Sequence, residues 1–125
     1  DKPMSSARKK ILFVLQRAPY GSSSARESLD SALAAAAFEQ DVHLLFSGEG
    51  VWQLLPDQQA DAIASKDIGK MLQALAYYDI DRVYADAASL AERGLSAATL
   101  AIPVMPLTNH PLRQLFRDAD CVIAL

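Results

Sequence analysis

Cysteine is nearly missing from this chain: Cys121 is the only one among 125 residues. No internal disulfide can form, and the usage fits a reducing cytoplasm, which is the expected location. A basic surplus is missing too. Twelve Lys and Arg against 15 Asp and Glu leave a net charge of −3. Beyond the first ten residues the basic side chains are scattered, so the patch that direct nucleic-acid binding needs is absent. No apolar run approaches the roughly 18 residues of a membrane span, and there is no signal-peptide h-region. Histidine occurs twice. His43 lies inside a strand pattern and His110 at a helix start, and with one strand-bound cysteine they do not make a zinc site. The chain also lacks the lysine of a Walker loop, the glycines of a dinucleotide loop and any Ser–His–Asp set. No cofactor is expected. What it has in quantity is apolar surface, 51% hydrophobic residues in a length suited to one domain. That is slightly rich for a small monomer and points to an apolar face kept for a partner.

The apolar residues fall in alternating strand and helix patterns. KILFVLQ (10–16) is a continuous run, the mark of a strand buried on both faces of a parallel sheet. RAPYGSSS (17–24) is a loop, and Ser24 with Glu27 forms an S-x-x-E capping box that opens a helix to about Glu39. That helix is apolar round most of its circumference, which predicts packing on more than one side. DVHLLFS (41–47) is the second strand, VWQLL (51–55) a short helix or turn, and 56–67 a polar surface loop. Asp67 then caps a helix over about 68–78. RVYAD (82–86) is the third strand, followed by a short helix with a Ser89–Glu92 box and Gly94 beyond its end. AIPVM (101–105) is a fourth strand, irregular or at an edge because of Pro103. Thr108 or Asn109 caps a helix over 110–118, and DCVIAL (120–125) is the fifth strand. This order predicts an α/β single domain, a roughly five-stranded, mainly parallel sheet with helices on both faces. Residues 1–9 are polar and lie outside that fold, as a disordered segment or, before Met4, a cloning remnant.

Ligands of such sheets collect at the carboxyl ends of the strands. The 17–27 loop could hold an anion or a partner there through Arg17, Tyr20, Ser24 and Arg26, or be an ordinary capped loop. Glu49 between two glycines reads as a tight turn. Cys121 falls in phase with Ile123 and Leu125, which predicts a buried, inert thiol. Asp86, at the end of the third strand, has no acid or base partner in sequence. Its side chain is expected to cap the following turn by accepting from the N–H groups of Ala88 and Ser89. Leu33, Ala36, Ala37 and Phe38 on the first helix, with Trp52, Tyr77 and Tyr78, are the candidate interface residues.

The run KILFVLQRAPYGSSSARESLDSALAAAAF, then FSGEGVWQLLPDQQ, LQALAYYDID and AASLAERGL in that order, resembles the DsrE/DsrF-like sulfur-relay family, nearest its TusC/DsrF branch. The resemblance covers about residues 10–125. It implies a three-layer α/β fold and a hetero-oligomer with TusB- and TusD-like subunits. Such assemblies pass persulfide sulfur from TusA-like to TusE-like carriers, towards 2-thiolation of the tRNA wobble uridine. The alternatives are a DsrF-type subunit of a DsrEFH complex in sulfur oxidation, or a stand-alone small α/β anion-binding protein or enzyme. In the family the persulfide sits on a cysteine of the TusD/DsrE-type subunit at the end of the third strand. Anchoring on Arg93 and Gly94 brings that position onto Asp86, so the resemblance implies a chain that is not itself catalytic.

Overall fold

The structure is a computed structural model that describes residues 8–18, 24–56 and 62–125, without the side chains of residues 24 and 62–67. Among the described residues five strands and four α-helices alternate: β1 Lys10–Leu15, α1 Ser24–Ala37, β2 Asp41–Phe46, α2 Ala62–Ala74, β3 Arg82–Asp86, α3 Ala87–Glu92, β4 Met105–Leu107, α4 Asn109–Asp118 and β5 Cys121–Ala124. Short 3₁₀ segments at Gly48–Leu54, Leu75–Tyr78 and Ala97–Thr99 join them. All pairings are parallel, in the order β4-β3-β2-β1-β5. The α/β sheet expected from the pattern is therefore the one observed.

The chain steps outward from β1 to β4 and then returns past β1 to place β5. Right-handed crossovers put helices on opposite faces when the direction of travel reverses. Side chains alternate accordingly. Phe13, Leu15, Val42, Leu44, Phe46 and Val83 face α1, α2 and α3 and meet Leu29, Ala32, Ile68, Leu72 and Leu90 in the main core. Leu12, Val14, Leu45 and Leu107 face the other way and meet Leu115 of α4. A side chain such as Leu29, fully buried, contributes about 1.5–3 kcal/mol over its exposed state.

Three boundaries and one burial differ from the sequence pattern. α2 begins at Ala62, inside the stretch read as loop, so Asp67 is interior to the helix and does not cap it. The helix formers Ala62, Ile63 and Ala64 outweigh the polar flanks. β4 starts at Met105, two residues beyond Pro103, because a proline has no N–H for the ladder. Pro106 is tolerated because β4 is an edge strand. Ser89 lies within α3, and the N-cap position belongs to Asp86. Cys121 is exposed, not buried: the phase with Ile123 is kept, but β5 is the other edge strand. The Ser24–Glu27 box lies outside the described residues on its serine side. At α4, Thr108 is the N-cap residue but its hydroxyl makes no capping bond.

Two details stiffen the frame. The segment Gly48–Leu54 folds back over the end of β1, with Ser47 N–H donating to the Leu15 carbonyl at 3.0 Å. A Cβ at Gly50 would overlap that same carbonyl. Gly50→Ala is therefore expected to destabilise by about 1–3 kcal/mol. Gly69, inside α2 with open space where a Cβ would go, should gain about 0.5–1 kcal/mol as Ala. Urea unfolding of the two variants measures both.

On the α4 face, His43 is buried and stacks on Tyr84 with ring centroids 6.2 Å apart. Its Nε2 lies 3.2 Å from an Asp41 carboxylate oxygen. Burial lowers its pKa, only partly opposed by Asp41. With the folded value below the unfolded value of about 6.5, the unfolded chain takes up the proton first. The stability this contributes is complete above about pH 6.5 and is lost as pH falls through the folded value. His43→Phe should flatten the stability profile over that range, measured by urea unfolding at stepped pH.

Candidate functional site

β3 passes into α3 with no intervening residue, so the strand's last side chain is also the helix's cap. Asp86 Oδ1 accepts from the Ala88 N–H at 3.1 Å, and Oδ2 accepts from the Ser89 hydroxyl at 3.0 Å. The capping reading holds, with one change: the second donor is the serine hydroxyl instead of its amide. Ser89 is buried, and its Oγ in turn accepts from the Gly48 N–H at 2.9 Å. Gly48 has φ of 56°, a left-handed conformation that favours glycine. Both oxygens of the carboxylate thus serve the fold, and no His, Lys or Cys is hydrogen-bonded to it among the described residues.

The far end of α3 is tied to the same segment. Leu95 N–H donates to the Leu90 carbonyl at 2.9 Å and Gly94 N–H to the Ala91 carbonyl at 3.1 Å. This is a Schellman cap with Gly94 at φ 68°. Arg93 donates to the Ser89 carbonyl at 3.1 Å and to Glu49 at 2.8 Å. The Glu49 hydrogen bond raises the Arg93 pKa above its ordinary value. Glu49, read from sequence as a turn residue, is therefore half of an ion pair spanning two strand ends. The pairings Glu49–Arg93 and Gly48–Ser89 were not found in the sequence. No sequence signal links them: GEG follows β2 and RG follows α3, and only the pairing of β2 with β3 brings the two together.

On the β1 side, the buried Gln53 donates through Nε2 to the Arg17 carbonyl at 2.8 Å, holding the backbone just beyond the end of β1. Arg17 and Arg26 are exposed. Tyr20 and the Ser24 side chain lie outside the described residues, so the four candidate anion contacts are not seen together. Of the candidate interface residues, Ala37, Phe38, Tyr77 and Tyr78 are exposed. Leu33 and Ala36 pack against the main core, and Trp52 is half-buried. Cys121 pairs in register with Ile11, near the start of β1. The thiol is thus at the opposite end of the sheet from Asp86. No group of His, Cys, Asp and Glu suited to a metal occurs among the described residues, and none of their helices is long and apolar enough to cross a membrane.

The sequence that builds this sheet and capped helix matches a known family. The DsrE/DsrF-like family model matches residues 9–125, and the chain belongs to that family. It is 41% identical over 115 residues to a Pseudomonas aeruginosa protein named TusC homolog, covering 92% of this chain and 97% of that one. It is 38% identical over 116 residues to Protein TusC of Escherichia coli, covering 92% and 98%. A TusC homolog of Vibrio parahaemolyticus is 37% identical over 114 residues, covering 91% and 97%. Among solved structures, the YchN protein of E. coli superposes with a TM-score of 0.79 at 29% identity, covering 94% of this chain and 99% of that one. A conserved protein of unknown function from Bacteroides thetaiotaomicron, 16% identical with a TM-score of 0.66 and 98% of each chain covered, shares the fold.

The geometry sets an order of effects at Asp86. Asp86→Ala removes the cap and leaves the Ser89 hydroxyl without its acceptor, and should cost about 1–3 kcal/mol. Asp86→Asn keeps an oxygen for Ala88 but turns an NH₂ towards Ser89, and should cost about 0.5–1.5 kcal/mol. Thermal unfolding of the two variants against the parent chain gives the ranking.

Proposed function

We propose that this chain is a non-catalytic subunit of a TusBCD-type sulfur-relay complex, which passes persulfide sulfur towards 2-thiolation of the tRNA wobble uridine. The observation that carries the reading is the state of Asp86. The position that bears the carrier cysteine in TusD/DsrE-type subunits holds here a carboxylate whose two oxygens are spent on capping α3. A carboxylate cannot bear a persulfide, and its charge disfavours a thiolate beside it. The lone thiol, Cys121, sits at the other end of the sheet. Similarity to three TusC proteins over nearly their whole length supports the same role.

On this reading the chain contributes surface and geometry, and TusB- and TusD-like subunits are its direct partners. TusA-like and TusE-like carriers are indirect ones. The exposed Phe38, Tyr77 and Tyr78 supply aromatic contact area of the kind interfaces favour.

Co-expression with TusB- and TusD-like subunits, followed by sizing and persulfide mapping, tests the proposal. The expected result is a stable complex with persulfide on the TusD-like subunit and none on Cys121. Cys121→Ser should leave 2-thiouridine levels in cells unchanged. Persulfide on Cys121 during turnover, or an Asp86→Asn complex that assembles but no longer thiolates tRNA, overturns it.

A further inference from the structure

The end of the sheet away from Asp86 carries a groove that neither the capping network nor Cys121 uses. Its largest part is a hollow of about 530 Å³ between α2, the 75–78 segment and the strand-entry residues 102–103. Leu72, Leu75, Ile80, Val83 and Ile102 supply apolar lining. The charged residues of the lining are Asp79 and Asp81, both exposed, and no cation lines it among the described residues.

Two smaller hollows of about 270 Å³ each continue it on either side. One shares Asp79 and Ile80 and adds Tyr78, Glu39 and one cation, Arg8. The other shares Asp81, Val83 and Pro103 and adds Met105 and one cation, Arg82. Met105 of this lining is 59% exposed, and Tyr77, between the lining residues Ala76 and Tyr78 in sequence, is 88% exposed.

The charges are unevenly matched. Asp81 lies 3.8 Å from Arg82, with both side chains largely in solvent, which makes a weak pair. Arg8 at the far end is taken up by Asp41 at 3.8 Å. Asp79 and Glu39 have no cation within ion-pair distance among the described residues.

We infer that this groove docks a segment of a partner protein that places one Lys or Arg between aliphatic side chains. A long basic side chain lays its methylene stem along apolar walls while its charged head stays at the rim, where Asp79 and Asp81 stand. An acidic or wholly apolar segment would strip water from Asp79 and give it no partner in return. The aromatic and methionine residues beside the groove are the types that interface cores favour over Lys and Glu.

The test uses the full chain labelled with ¹⁵N and two short probes, acetyl-Ser-Leu-Arg-Leu-Ser-amide and its twin with Glu in place of Arg. It requires no sulfur-relay partner, so its outcome is separate from that of the subunit proposal. Titration with the Arg peptide should shift amide signals between Leu72 and Val83 and at Ile102, and leave Asp86 to Arg93 unmoved. The Glu peptide should bind at least about tenfold more weakly.

The double variant Asp79→Asn with Asp81→Asn should weaken the Arg peptide about five- to tenfold, and added salt should weaken it in the parent chain. Asparagine accepts the left-handed backbone of residue 79, where φ is 59°, so this variant keeps the turn. No shifts, equal binding of the two peptides, indifference to the double variant, or shifts centred on Asp86 overturn the inference.

Discussion

One hydroxyl joins the parts of this domain that the sheet alone would leave independent. Ser89 Oγ donates a hydrogen bond to Asp86 and accepts one from the Gly48 N–H. The first bond closes the turn where β3 becomes α3, and the second pins the segment after β2 to that turn. A buried hydroxyl with a donor on one side and an acceptor on the other has its polar demands met locally. Removing either neighbour exposes the other to an unpaired partner. The Arg93–Glu49 pair clamps the same two elements at their far side, and Gly50 lets the clamped segment lie against β1. Three strand ends are thereby held as one surface.

The two layers outside the sheet are unequal for a topological reason. Three steps in one direction put α1, α2 and α3 on one face, and the single return step puts α4 alone on the other. The main core is correspondingly larger, and the α4 face leaves Phe116 and Val122 partly in solvent. The apolar surplus noted in the composition is thus visible as uncovered side chains at the sheet edges, on α4 and beside the 75–78 segment.

What was legible in the sequence was local. Strands β1 and β2 are continuous apolar runs because both faces are buried, and that pattern is visible residue by residue. The cap at Asp86 was legible because an aspartate followed by small residues folds back on its own chain. Gly94 was legible as a helix stop for the same reason. The links that complete the site were not, since Gly48 reaches Ser89 across 41 residues and Glu49 reaches Arg93 across 44. Nothing in the spacing of one sequence encodes such a meeting. Cys121 shows the limit of periodicity: alternation gives the face a residue points to, and says nothing of whether another strand lies beyond it. The start of α2 shows propensity overriding the polar pattern that flanks it.

The seamless passage from β3 to α3 has an evolutionary side. Elsewhere among the described residues strands and helices are joined through intervening residues, as in the run from Gly94 to β4. Between Asp86 and Ala87 there is no such slack. An inserted residue would rotate the helix against the strand and break the cap, the Gly48 tether and the Arg93 clamp together. An insertion at that junction is therefore costly, whereas a substitution leaves the frame in place. Chemistry at this strand end can thus be changed by exchanging one side chain in a fixed frame.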